Sequence, residues 1–290
     1  MNAKICETVT NRLIEEMEKG VIPWERPWTG TSGGAISHST GKPYSLLNQM
    51  LLGRPGEWLT FNQCKAEGGS VRKGEHGSTV VFWKQVAVDD TDEDGNSKKR
   101  LVPMLRYFTV FHIDQCDGIK AKYADDAEPV QHDPIAEAEQ IVTGYQSREG
   151  LKIIRDRTSN RAFYAPAADY VQVPTLEQFP KAEEYYSTLF HEMTHSTGHT
   201  SRLNRFTGAA KAAAFGSEEY SKEELIAEIG AAALVNRCGI ETRHSFRNSA
   251  AYLQSWIKAL RNDNTLIIGA AGKAEKAVAY ILTGEKPAVY

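Results

Sequence analysis

The chain has 290 residues, 41% of them hydrophobic and 24% charged, an ordinary globular composition at a length that suggests about two domains. Its net charge of -3 comes from 34 basic and 37 acidic side chains spread evenly over both halves, so bulk positive charge cannot carry nucleic-acid binding. No run of about 18 apolar residues is present, which argues against a membrane helix. The N-terminus lacks the apolar stretch and cleavage site of a secretory signal, so the expected location is the cytoplasm. Cys6, Cys64, Cys116 and Cys238 stand apart with no CxxC spacing; neither a disulfide framework nor a thiolate zinc site is expected.

In chain order, Ile5, Val9, Leu13 and Met17 recur every four residues and predict an amphipathic helix that Gly20 stops. Ile22 to Gly34 reads as a loop. Helices are expected across Lys42–Leu52 and Phe61–Glu67. The β-branched and aromatic runs Thr79–Val88 and Leu105–Ile113 read as strands, joined by a polar hairpin tip. An acidic, proline-containing stretch at 121–134 reads as a linker between a domain over 1–120 and a second over 135–290. Beyond it come a helix from Ile135, a hairpin over Ala162–Pro174, and helices across Lys181–Thr197, Lys222–Cys238, Ser249–Asp263 and Ala270–Leu282. The expected fold class is α+β: a small mixed domain, then a helix pair over a short sheet with an edge strand near Val171.

The sharpest chemical signal is His191-Glu192-Met193-Thr194-His195. On a helix, positions i and i+4 share a face, so two imidazoles can bind one metal ion. Glu192 then stands where it can take a proton from water whose pKa the ion lowers to about 7 in the best-known cases. Glu224 is the expected third ligand, and Glu228, one turn further on, is expected to orient a ligand histidine. Glu223, Glu228 and His199 are the alternatives for the third position. Glu223 and Glu224 also fit the first turn of a helix capped by Ser221. Tyr164, Tyr185, Tyr186, His199 and Arg202 are candidate stabilisers of a developing oxyanion. Two histidines and a carboxylate suit Zn2+, with Mn2+ as the alternative.

The N-terminal half is rich in aromatics: Trp24 and Trp28 in a loop, Phe82, Trp83, Tyr107, Phe108 and Phe111 on strands. With Arg72 and Lys73 in the glycine-rich stretch Gly68–Gly77, they offer base stacking beside cations that could meet phosphates. Trp24, Trp28, Arg72, Lys73 and Trp83 are the candidate DNA contacts. The stretch is not a Walker A loop, because GxxxxGK[ST] is absent.

The motifs IPWERPW, LTFNQCKAEGGSVRKGEHG, VFW and YFTVFHIDQCDGI resemble the N-terminal domain of ArdC-type antirestriction proteins. FYAP, DYVQVP, YYSTLFHEMTHSTGH, SRLNR, EELIAEIGAAAL and AAYLQSWIKAL resemble the metallopeptidase-like domain of the same family. The N-terminal segment is also similar to the accessory part of conjugative-plasmid primases. The resemblance implies a single-stranded-DNA-binding domain followed by a zincin-like domain. It also implies plasmid or mobile-element origin and protection of incoming conjugative DNA from host restriction. It further implies a metal held by His191, His195 and Glu224, with Glu192 as the catalytic carboxylate. Expected partners are single-stranded DNA and a protein substrate such as a host restriction enzyme, with no membrane contact; transfer into the recipient cell fits the same setting. Two other readings remain open: a cytosolic metalloprotease whose N-terminal half selects proteins, and a non-enzymatic DNA-binding protein with a structural metal.

Overall fold

The computed structural model describes residues 3–25, 34–91, 97–123, 134–206, 218–240 and 250–286. Helix α1 (Ala3–Glu18) buries Ile5, Val9, Leu13 and Met17, the spacing the sequence predicts, and Gly20 leaves it in the left-handed region at φ 82. Next come β1 (Ala35–Ser37), α2 (Leu46–Leu52), β2 (Gly56–Thr60), α3 (Phe61–Ala66), β3 (Ser70–Val71), β4 (Ser78–Thr91), β5 (Ser97–His112) and β6 (Cys116–Asp117). Four of these strands form a sheet in the order β1-β2-β5-β4.

Sequence periodicity passes over β1 and β2, which are too short to show it. It also starts α2 four residues early. Ser45 caps that helix by accepting from the Asn48 amide, so Lys42–Tyr44 stay outside it. The expected polar tip is largely strand: pairing continues to Thr91 opposite Ser97, and the acidic run Asp89–Asp90 lies in register with Lys98–Lys99. Strand β4 is a sheet edge, and α2 covers part of it: the Asn48 side chain both accepts from the Val81 amide and donates to its carbonyl, each at 2.8 Å. A capped edge cannot template another strand there.

The second half holds α4 (Pro134–Glu149), β7 (Lys152–Asp156), β8 (Phe163–Ala165), β9 (Tyr170–Pro174), α5 (Ala182–Ser196), α6 (Glu218–Arg237), α7 (Ala250–Asn262) and α8 (Leu266–Thr283). The sheet order is β7-β9-β8, with β7 parallel and β8 antiparallel to β9. This corrects the expectation of an edge strand near Val171. Val171 and Val173 are fully buried, so β9 takes the middle and the outer edges belong to β7 and β8. Of the linker expected at 121–134, residues 124–133 lie outside those described.

Two large apolar clusters organise the molecule. One surrounds α5 and includes Tyr145, Val171, Leu189, Phe190, Met193 and Leu234. The other joins the two ends of the chain: Leu13, Trp24 and Met50 pack with Ile226, Trp256 and Ile267. Trp24 and Trp256 meet edge to face at 6.1 Å between ring centroids. The apolar core therefore runs across the segment that reads as a linker. All four cysteines are buried free thiols. Among the described residues, no helix is long and apolar enough to cross a membrane.

Trp24 is only 1% exposed, so Trp24→Ala should lower the unfolding free energy by about 3–5 kcal/mol. Urea denaturation measures this, and an unchanged midpoint would remove the ring from the core.

Candidate metal centre

Helices α5 and α6 lie against each other, and their contact is close because α6 is small where they meet. A Cβ on Gly230 would come 2.6 Å from Thr194 Cγ2, inside contact distance. Ala227 and Ala231, beside it, are fully buried. This approach brings the carboxylates of α6 to the imidazoles of α5.

His191 and His195 turn their Nε2 atoms toward each other, 3.1 Å apart. Glu224 closes the triangle, with Oε2 at 3.4 Å from His191 Nε2 and Oε1 at 3.4 Å from His195 Nε2. Donors bonded to one tetrahedral ion at about 2.0–2.1 Å stand about 3.3 Å from each other. The three side chains are the group among the described residues that can hold a metal ion, and their spacing fits one. Glu192 is 8% exposed and lies next to His191 on the same helix.

Behind this triangle the histidines have carboxylate neighbours. Glu228 Oε1 stands 3.5 Å from His191 Nδ1, the position expected for an orienting carboxylate. Glu223 Oε1 stands 3.4 Å from His195 Nδ1, a contact that sequence reasoning assigned to no residue. Helix α6 starts at Glu218, so Glu223 and Glu224 lie beyond the first turn. Capping by Ser221 is therefore not what places them. Burial opposes a charge on His195, yet hydrogen bonds to Glu223 and Glu224 and the charge of Glu192 outweigh it and push the imidazole up to about 10. Burial likewise opposes ionisation of Glu224, but its bonds to both histidines hold the carboxyl far below the usual range. A pocket so rich in negative charge favours a cation.

The candidate oxyanion stabilisers are committed elsewhere. Tyr185 and Tyr186 are core residues at 1% and 2% exposure. Tyr164 donates to Asp169 Oδ1 at 2.7 Å. Arg202, 3% exposed, binds both oxygens of Asp169 at 2.8 and 2.9 Å and donates to the Ser196 carbonyl. His199 faces Ser201 at 2.8 Å. Asp169 holds a left-handed φ of 49 in the turn between β8 and β9, so this cluster pins that turn to the end of α5.

The DNA-contact candidates are dispersed. Trp24 is core, and its covered ring cannot stack on a base. Trp28 lies outside the described residues. Arg72 is exposed but engaged with its own loop: it donates to Glu75 Oε1 at 3.4 Å and to the Asp114 carbonyl, and pairs with Asp117 at 3.6 Å. Lys73 is exposed, and Trp83 is 51% exposed on β4. Strand alternation places Phe82, Lys84, Arg106 and Phe108 on the opposite face of the β4–β5 ribbon from Trp83 and Tyr107. Phe82 and Phe108 are 43% and 48% exposed, with ring centroids 5.8 Å apart. Strand aromatics are usually buried, and only the pairing register reveals that these lie beyond the reach of α2.

Two outcomes test this geometry. Gly230→Ala should force α6 away from α5, lowering stability by about 1–3 kcal/mol and weakening Mn(II) binding; calorimetric titration and thermal melting read both. Asp169→Asn should cost about 1.5–3 kcal/mol by weakening the charge-assisted hydrogen bonds to Arg202, which keeps Glu149 Oε2 at 3.3 Å as its other anion. Burial raises the Asp169 carboxyl, but Arg202 and Tyr164 outweigh it and hold it low. Its contribution is thus complete above the unfolded value of about 3.9 and fades as pH falls through the lower folded value. The gap between wild type and Asp169→Asn should be constant near neutrality and narrow only below about pH 4.

Residues 3–111 match the N-terminal domain of the anti-restriction factor ArdC, and residues 137–273 match the zincin-like metallopeptidase family. The crystal structure of the metal-free antirestriction ArdC protein from the R388 plasmid is similar over 97% of both chains, with a TM-score of 0.71 and 35% identity. The Mn(II)-bound structure gives 0.71 and 34%, covering 95% of this chain and 96% of that one. A DNA primase TraC of Escherichia coli is 36% identical over 97% of this chain, which spans only 27% of that protein. The uncharacterized protein y4eC of Sinorhizobium fredii (strain NBRC 101917 / NGR234) is 33% identical over 94% of this chain and 89% of its own length. With both domains matched in order and the full length shared with ArdC, this chain belongs to the ArdC antirestriction family.

Proposed function

We propose that this protein is a plasmid-type antirestriction factor. It binds single-stranded DNA with its N-terminal half, carries a metallopeptidase-type metal centre in its C-terminal half, and protects incoming conjugative DNA from host restriction. The observation that carries the DNA reading is the β4–β5 ribbon. One face presents the neighbouring Phe82 and Phe108 rings, with Tyr44 6.1 Å from Phe82, beside exposed Lys84 and Arg106. Among the described residues neither cation has an ion-pair partner. Stacking with a few cations suits a chain whose net charge is -3. Trp83 and Tyr107 offer a second stacking surface on the reverse face. Lys73 remains a candidate phosphate contact, and Arg72 would exchange its surface acidic partners for a phosphate to act as one; the buried Trp24 does not.

At the metal centre, the bound ion would polarise a carbonyl and make water acidic. His191 and His195 would hold it through Nε2, and Glu224 through its carboxylate. Glu192 would accept the proton of the attacking water and return it to the leaving amine. Glu223 takes Nδ1 of His195 and would keep its Nε2 lone pair directed inward, while Glu228 stands 3.5 Å from Nδ1 of His191. Zn2+ is our assignment for the resident ion on this donor set, with Mn(II), the ion in the related ArdC crystal structure, as the alternative. A host protein of the restriction system is the proposed substrate class, and the cytoplasm the proposed setting.

Fluorescence anisotropy of the full chain with single- and double-stranded oligonucleotides at two salt concentrations tests the DNA half. Single strands should bind more tightly, and Phe108→Ala should weaken binding about tenfold, the loss of one stacked base. A folded protein that binds neither form would sink the stacking argument and favour the metalloprotease reading.

A further inference from the structure

The geometry points to a residue pair that sets the metal affinity of the site without touching the ion: we infer that Arg205, acting through Glu223, locks His195 in its metal-binding orientation. This rests on the metal-centre reading above. The imidazole ring of His195 can rotate about its side-chain bonds, and only one orientation directs Nε2 at the triangle with His191 and Glu224. Glu223 Oε1 takes the opposite nitrogen, Nδ1, at 3.4 Å. That contact is useful only if the carboxylate is itself fixed.

Arg205 fixes it with a two-pronged grip: Nε donates to Glu223 Oε2 at 3.0 Å, and a terminal nitrogen donates to Oε1 at 2.6 Å. Paired forks of this kind set orientation as well as attraction. The same guanidinium donates to the Thr194 carbonyl at 2.9 Å and the Thr197 hydroxyl at 2.7 Å. Both belong to the end of α5, where unsatisfied carbonyls favour a cation. One buried side chain, 8% exposed, therefore ties the helix that carries His195 to the helix that carries Glu223 and Glu224. The loop after α5 supplies it, and Asn204, with a left-handed φ of 51, turns the chain just before it.

His191 is held differently. Its Nδ1 faces Glu228 at 3.5 Å and makes no hydrogen bond. The Arg205 grip thus supports one of the two histidines, so beyond any cost in stability its loss should lower metal affinity in the protein that remains folded. An outer carboxylate of this kind is worth about 10- to 100-fold in metal affinity. Arg205 also cancels the charge of Glu223, so the pair directs the ring without adding net charge to the pocket.

Calorimetric titration of the full, metal-stripped chain with Mn(II), alongside thermal melting of the same samples, is the test. Wild type should bind. Glu223→Gln and Arg205→Lys should each bind at least about tenfold more weakly at a temperature where the melting curve shows the variant still folded. Electron paramagnetic resonance of bound Mn(II) should broaden in both, because an unfixed imidazole samples several orientations. Should Glu223→Gln melt early, Arg205→Lys decides, since a lysine keeps the charge but not the fork. Wild-type affinity and an unchanged spectrum in a folded Arg205→Lys variant would overturn the inference. A wild type that binds no Mn(II) or Zn(II) would instead overturn the metal-centre reading beneath it.

Discussion

The close approach of α5 to α6 is the constraint on which the site depends. Two imidazoles on one helix define only a line of donors, and a third donor must come from elsewhere at a separation of a few ångströms. Gly230 permits that separation, because any larger side chain would strike Thr194 within the HEMTH segment. The buried alanines on either side extend the flat contact surface. Leu189, Phe190 and Met193 of α5 share one apolar cluster with Ala231, Leu234 and Val235 of α6, so the core holds the two helices together.

Concentrating carboxylates around two histidines carries an electrostatic cost that the surrounding residues offset. Glu192, Glu223, Glu224 and Glu228 all lie in or near the pocket, and buried carboxylates repel one another unless cations intervene. Arg205 neutralises Glu223 at the back of the site. Arg202 does the same for Asp169 nearby, and thereby binds the β8–β9 turn to the end of α5. The remaining negative charge faces inward, where a divalent ion would satisfy it. Both arginines lie in the segment after α5, which thus supplies the counter-charge of Glu223 and that of Asp169.

The two halves of the protein are not separate bodies joined by a flexible strap. Helix α1 and the Trp24 turn pack with α6, α7 and α8 in one apolar cluster. Helix α6 thus contributes to both halves: Glu224 and Glu228 face the two histidines of α5, while Leu225, Ile226 and Ile229 pack with the N-terminal helix layer. The ribbon of β4 and β5 extends from that layer, its base secured by Val81 and Leu105 in the same cluster.

Much of this was legible in the sequence. Amphipathic spacing identifies α1, and the i,i+4 histidines mark the candidate metal site, because helical geometry converts residue spacing directly into a shared face. The residues whose roles depend on contact between distant segments were not legible. Trp24 looks like an exposed stacking residue in a loop until Trp256, 232 positions away, covers it. Arg72 looks like a phosphate ligand until β6 brings Asp117 beside it. Glu223 looks like a helix-start carboxylate until α6 proves to begin earlier and Arg205 meets it. Local spacing determines which side chains share a face; which faces meet is set by the packing of the whole chain, and only the tertiary structure decides it.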